Sequence, residues 1–380
     1  MKILLLYEYP PAPGGLATQG QLLHRGLREL GVEVEAAHFL SPLEKEWYYR
    51  WFRPDVVIGV GYWGHVPHLV LHPRQFGVQA VPWLVADGFI ADHLETLNGL
   101  PLILVTSSWV RQVYARDGVD RERIEVLPVG CDTDAFCPLP ADDPRVVTAR
   151  RTVGVAADEL MILTVGGDAA SKGAREVMRA LAMIDREVPP WRYVCKTWPQ
   201  PRTTRQNALD LQLARELGLA DRVVFADAIV SRRFMPCLLN ACDLYAAPSR
   251  LEGFGMPQVE AGACGKPVIG LRAMAMLDTL VDGQTALLAG VAVENRVTEA
   301  VLGPESGYET ERRVQFPAPR VADYRANVAD VATALRTLMN DRDLRMRMGA
   351  AGRQRAVECY DYRAVAGSLL EILGRRLGIG

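Results

Sequence analysis

An α/β architecture with two parallel-sheet domains is what this chain of 380 residues predicts. Apolar runs alternate with amphipathic segments along the chain, the pattern of a parallel sheet with helices on both faces. The length suits two hydrophobic cores rather than one. Between two series of such runs lies Pro138-Leu139-Pro140-Ala141-Asp142-Asp143-Pro144, whose Pro and Asp content places an interdomain linker there.

The first series of expected strands is Lys2–Tyr7, Val32–His38, Val56–Val60, Trp83–Ala86, Leu102–Thr106 and Ile124–Pro128. The opening MKILLLYEYP has one Lys and an apolar run too short to span a bilayer. Because it flows directly into a Gly-Gly loop it reads as a buried strand rather than a signal peptide. The second series is Leu160–Val165, Tyr193–Lys196, Val223–Ala226, Leu244–Ala247 and Pro267–Leu271. Residues 291–321 show only weak periodicity. Tyr360–Leu377 carries Val365, Leu369, Leu370 and Leu373 at helical spacing. A chain that is 49% hydrophobic and 23% charged has an ordinary soluble globular composition, and a net charge of −2 offers no general attraction to nucleic acid or to an anionic membrane. Its seven cysteines are scattered, odd in number and without zinc-type spacing, so reduced thiols are expected.

Pro248 to Glu260 is the most informative stretch. It sets two carboxylates, Glu252 and Glu260, eight positions apart across a turn punctuated by Gly253 and Gly255, with Phe254 between them. The glycines remove Cβ atoms that would keep a ligand off the backbone. Met256-Pro257 opens a helix whose free N–H groups and positive dipole end favour a phosphate. Ala241–Ala247 reads as the buried strand that delivers the turn, and Gly265-Lys266-Pro267 ends the helix.

This segment resembles the E-x7-E signature of retaining GT-B glycosyltransferases, family four in the usual classification. Other blocks resemble that family in order along the chain: the loop Pro10 to Gly15, Thr106 to Trp109, Ile124 to Phe136, Val165-Gly166-Gly167 with Ser171-Lys172-Gly173, Leu280 to Leu288, and Met346 to Arg355. The resemblance implies a GT-B fold, two Rossmann-like domains facing each other across a cleft. Residues 1–140, completed by the helix 360–380, would form the acceptor side. Residues 145–359 would bind the nucleotide sugar, with an insertion near 291–321. It also implies a retaining, metal-independent transfer of a hexose from a UDP- or GDP-type donor to a hydroxyl acceptor. The setting would be polysaccharide or glycolipid assembly in the cytoplasm, with no cofactor besides the donor and no nucleic-acid partner.

The resemblance assigns Glu260 to the ribose hydroxyls and Glu252 to the donor sugar, where a fixed carboxylate stabilises positive charge developing at the anomeric carbon. Lys172 would neutralise the leaving diphosphate, with Gly166 and Gly173 allowing close approach. An Arg commonly follows the first glycine of that loop; here the position is Gly167. Lys196, closing an apolar strand, is the first candidate to replace it, ahead of Arg202 and Arg205. Backbone groups around Asp227-Ala228-Ile229 are expected at the nucleobase. Toward the N-terminus, Gly14 and Gly15 permit a loop that approaches donor or acceptor. Asp87 falls where relatives carry a histidine and could take the acceptor proton or bind a sugar hydroxyl. His65 and His68 are alternatives there. Asp132-Thr133-Asp134 is expected to cap a following helix rather than bind a metal. The run Lys45 to Arg53 is expected to pack its aromatics inward, with peripheral membrane contact as the second reading. Two other functions share these features: a disaccharide or glucan synthase of the same fold, and a catalytically silent sugar-nucleotide-binding partner, motivated by Gly167 and Asp87.

Overall fold

A computed structural model describes residues 1–86, 88–303, 308 and 310–379, so Asp87 lies outside the described residues. The chain divides into two compact units. One comprises Met1–Gly130, Arg296–Ala322 and Cys359–Gly380, and the other Cys131–Asn295 and Asp323–Glu358. The division falls after Gly130, ahead of the Pro/Asp-rich segment that the sequence suggested.

In the first unit the strands are β1 Lys2–Tyr7, β2 Glu33–His38, β3 Val56–Tyr62, β4 Ala80–Val85, β5 Ile103–Val105 and β6 Ile124–Val126, in the parallel order β2-β1-β3-β4-β5-β6. Ile3 to Leu6 are wholly buried, as a central strand covered on both faces requires. The chain reverses its direction of growth between β1 and β3. The helix Gly15–Glu29 follows β1, and the last helix, Tyr362–Leu377, lies against it. A Cβ on Gly26 would sit 2.7 Å from the Tyr362 carbonyl, and the Tyr362 hydroxyl donates to Glu29 at 2.7 Å. The glycine thus sets the close approach of these two helices.

The helix Pro42–Trp51 starts at Ser41, whose hydroxyl accepts from the Glu44 N–H. Inward packing is found for Tyr49 and for Phe52 at the helix end, with Tyr48 half-buried against the core. Trp47 and Trp51 stack on each other at 4.8 Å while 53% and 59% exposed, and Leu43, one turn earlier, is 82% exposed. The spacing of 43, 47 and 51 puts all three on one face, and the core-facing side is already filled by Tyr49 and by Lys45. The Lys45 ammonium donates to the carbonyls of Phe39 (2.7 Å) and His68 (3.1 Å).

The second unit holds β7 Leu160–Val165, β8 Trp191–Thr197, β9 Val223–Asp227, β10 Leu244–Ala246, β11 Val268–Leu271 and β12 Ala286–Ala289, ordered β12-β11-β10-β7-β8-β9. All these pairings are parallel. Growth reverses here between β7 and β10. Asp132 does not cap a helix: its carboxylate accepts from the Ala135 N–H and the Phe136 N–H closes back on its carbonyl, so the segment is a turn.

Residues 291–326 form a two-stranded hairpin, β13 Val291–Leu302 and β14 Arg312–Ala326. Its inner ends belong to the second unit and Arg296–Ala322 to the first, where Ala300 and Leu302 join the buried core. Pro317 and Pro319 stand within β14. A two-stranded ribbon tolerates them because each strand keeps a free edge.

Candidate active site

In open α/β sheets, ligands bind at the carboxyl ends of strands where strand order reverses. In the second unit that point lies between β7 and β10, and the loops leaving these strands are the ones that carry Lys172 and Glu252. The two loops are pressed together. The Arg250 N–H donates to the Ser171 carbonyl at 2.9 Å. Gly173 has φ +82°, and a Cβ there would collide with the Pro248 carbonyl. A Cβ on Gly166 would lie 2.6 Å from Lys172 Cγ. The Asp168 carboxylate holds the turn by accepting from the Ser171 N–H at 2.7 Å. These constraints bring the Lys172 ammonium to 2.6 Å from Glu252 Oε2, both side chains mostly shielded from solvent.

Beyond Glu252 the loop includes Gly253 and the buried Phe254, then reaches Gly255 at φ +92°, where a Cβ would meet Met276 Cε at 2.6 Å. Met256 starts the helix Met256–Ala263, so its first N–H groups follow directly on the turn. Gln258, fully buried, donates to Ser249 Oγ at 3.1 Å and ties helix to loop. Glu260 keeps part of its surface exposed. Burial of its carboxyl pushes its pKa up to about 7, Asp132 adding to the rise and Arg232 opposing it.

Lys196, at the end of β8, is 4% exposed, and among the described residues its ammonium has no ion pair. It lies 5.8 Å from the Trp198 ring centroid, and burial lowers its pKa against the opposing pull of Asp227. It lines a cavity of about 710 Å³ with Phe225, Ala228, Val230 and Phe234 among others. Arg202 and Arg205 are exposed on the helix Pro201–Glu216. Gly167 is not imposed by crowding, since the nearest atom to a Cβ there is 3.8 Å away on Trp198. Ile229 is largely exposed, while the neighbouring Ala228 N–H is tied to the Thr197 carbonyl.

Sequence reasoning missed a buried charge network behind this loop. Arg250 donates to both oxygens of Glu176 (3.1 and 3.3 Å), Arg325 reaches the same carboxylate at 3.9 Å, and the Tyr324 N–H donates to the Arg250 carbonyl at 2.8 Å. Arg250 stands inside the signature stretch and was visible. Its partners come from the earlier helix Ala174–Ile184 and from the last residues of β14, which no spacing rule connects.

In the first unit the order reverses between β1 and β3. Gly14 and Gly15 follow β1 in open surroundings: a Cβ on Gly15 would meet nothing within 4 Å, and one on Gly14 only Glu8 Oε2 at 3.8 Å. The protein itself does not demand glycine there. His65, after β3, packs its ring against Tyr62 and Phe39 at 4.1 and 4.7 Å, and burial draws its pKa down to about 4. His68 offers its carbonyl to Lys45. The segment after β4 runs from Ala86 through Gly88, at φ +89°, whose carbonyl accepts from Arg116 at 2.8 Å. Among the described residues no group of three or more His, Cys, Asp or Glu could hold a metal ion, and no helix is long and apolar enough to cross a membrane.

The family described as "Glycosyl transferases group 1" matches residues 148–312. A D-inositol 3-phosphate glycosyltransferase from Xylanimonas cellulosilytica is 35% identical over 179 residues, covering 45% of this chain and 42% of the relative. One from Nocardia farcinica is 29% identical over 288 residues, covering 73% and 55%. The matches thus span about half the length, or less, of these curated relatives. Among solved structures, sucrose-phosphate synthase from Thermosynechococcus elongatus superposes with a TM-score of 0.76 at 18% identity, over 99% of both chains. Anabaena Alr3699/HepE in complex with UDP-glucose gives 0.73 at 18%, over 99% of this chain and 100% of that one. The fold is therefore that of the GT-B glycosyltransferases, and residues 148–312 match the group 1 glycosyl transferase family.

Proposed function

We propose that this protein transfers a hexose from a nucleoside-diphosphate sugar to a hydroxyl acceptor, with retention at the anomeric carbon and without a metal. The observation that carries this reading is the Lys172–Glu252 pair, held at 2.6 Å where strand order reverses, directly before a helix N-terminus. A diphosphate entering there competes for the Lys172 ammonium and releases Glu252 toward the sugar. Negative charge on the leaving phosphate is met by Lys172, Lys196 and the first N–H groups of the Met256 helix. Positive charge at the anomeric carbon is met by Glu252, and Glu260 accepts from the ribose. Gly166, Gly253 and Gly255 leave the backbone open to the ligand, while Ala228 and Ile229 border the base. On the acceptor side, Gly14, Gly15 and Asp87 complete the proposal, with cytoplasmic activity. The exposed Leu43, Trp47 and Trp51 face supports peripheral contact with a lipid surface.

Hydrolysis of UDP-, GDP- and ADP-sugars by the purified protein tests the reading, UDP-glucose first because the Anabaena neighbour was solved with it. Release of nucleoside diphosphate that survives EDTA is expected. A second reading, a silent partner that binds the nucleotide sugar, is favoured by Gly167, which stands where the resemblance expects an arginine although a Cβ there would meet nothing closer than 3.8 Å. Tight donor binding with no turnover on any acceptor would establish it.

A further inference from the structure

The hairpin at 291–326 is the part of the chain that the glycosyl-transfer reading leaves without a task. Its contacts within the first unit converge on one segment, Gly88–His93, which leaves β4. The Tyr308 hydroxyl donates to Asp92 Oδ2 at 2.8 Å, and Arg312 reaches the same oxygen at 2.9 Å. Asp92 Oδ1 accepts from the His93 N–H at 2.7 Å, and His93 takes the left-handed backbone at φ +65°, a strained conformation that a side-chain-bearing residue keeps only where its surroundings hold it. Phe316 packs on Phe89 with ring centroids 5.0 Å apart. Arg320, 9% exposed, pairs with Asp117 at 2.7 Å, and Asp117 Oδ2 in turn accepts from the Ile90 N–H at 2.8 Å. Four hairpin side chains therefore hold three consecutive parts of one short loop, through two carboxylates that also bind its backbone.

We propose that the inserted hairpin is a brace for the acceptor-side loop, with Tyr308, Arg312, Phe316 and Arg320 as positioning residues that act through Asp92, Asp117 and Phe89. The inference rests on the proposed glycosyl transfer, in which this loop carries Asp87. A loop fixed in this way aligns an acceptor hydroxyl without itself touching the nucleotide, and misplacement by a fraction of an ångström lowers turnover rather than donor affinity.

Tyr308→Phe removes one hydroxyl and leaves the ring, so it spares folding. Arg320→Gln breaks the Asp117 pair, and Arg320→Lys is its conservative control. Hydrogen exchange at Ile90 and His93 is expected to speed up about tenfold in Tyr308→Phe and Arg320→Gln, with protection at 248–262 unchanged. Turnover, read with water and with D-inositol 3-phosphate as acceptors, should fall about five- to tenfold while UDP affinity stays within about twofold. Arg320→Lys should recover part of both effects. Unchanged protection at 88–93 overturns the brace, as does a loosened loop with wild-type turnover. A parallel loss of UDP affinity and turnover shows a general stability effect and overturns it too. Wild-type protein that binds no nucleotide sugar would refute the proposed function instead, and the exchange result alone would then decide the brace.

Discussion

A Cβ added at Gly166, Gly173 or Gly255 would come under 3.0 Å from a neighbouring atom, whereas one added at Gly15 would meet nothing within 4 Å. The loops at the two strand-order reversals are thus glycine-rich for different reasons. In the 131–295 unit the glycines are needed by the protein, because two loops interlock and set Lys172 against Glu252. In the first unit the Gly14-Gly15 turn stays open, and the segment after β4 is held by side chains of the inserted hairpin. Under the proposed function, the nucleotide half of the chemistry is built into a compact local motif. The proposed acceptor half draws on segments far apart in the sequence, the turn after β1, the segment after β4 and the hairpin at 291–326. Such a division suits a fold that keeps one type of donor while acceptors change.

The largest expected effects test the donor half. Glu252→Ala should lower turnover about 10²–10³-fold with little change in nucleotide affinity, because its charge matters most as the anomeric carbon becomes positive. Glu260→Ala should instead weaken donor binding, read by titration calorimetry. If the two variants behaved alike and near wild type, the interlocked loops would be a structural device and the comparison would collapse. Next in size is the glycine contrast itself. Gly173→Ala combines a left-handed backbone with a collision at Pro248 and should cost about 2–3 kcal/mol in urea unfolding, while Gly15→Ala should cost under about 0.5 kcal/mol. Equal losses at both positions would mean that the open turn is not open.

The sequence reading reached this asymmetry only in part. Parallel strands are continuous apolar runs, so β1 and β7 were found at the residues where they occur, and the interlocking turn was visible because glycine spacing and paired carboxylates are local features. The hairpin escaped because most of β13 is exposed on both faces, which erases the period-2 pattern, and because Pro317 and Pro319 argue against a strand. Hydrophobicity favours the interior for Trp47 and Trp51, with a lipid-facing surface as the second reading. Composition cannot reveal that Lys45 and Tyr49 already occupy the inward face. The Lys172–Glu252 pair was legible as two site residues but not as partners, since 80 positions separate them.

A middle-sized effect sharpens the charge side of the comparison. Lys196→Ala should weaken nucleoside diphosphate binding about tenfold, comparable with Lys172→Ala, and the double variant should lose less than the sum because both act on one anion. A Cβ at Gly167 would meet nothing closer than 3.8 Å, and Gly167→Arg should restore affinity to Lys196→Ala. A silent Lys196→Ala would shift the role to the exposed Arg202 or Arg205.

The smallest effect concerns pH and separates the binding role of Glu260 from its burial. Its carboxyl titrates near pH 7 rather than at the ordinary 4.5 because burial disfavours the charge. Ribose hydroxyls donate best to a carboxylate, so donor affinity should rise about three- to tenfold from pH 6 to pH 8, and Glu260→Gln should flatten that dependence. The stability effect has the opposite sign. A folded-state pKa above the unfolded one means that the native protein holds a proton the unfolded chain releases. The contribution is present below the ordinary carboxylate range and is lost as pH rises through about 7. Glu260→Gln should therefore unfold at higher urea than wild type at pH 8 and at similar urea at pH 4. A wild type whose donor affinity is flat across this range, with the stability crossover intact, would leave Glu260 buried but remove it from the ribose.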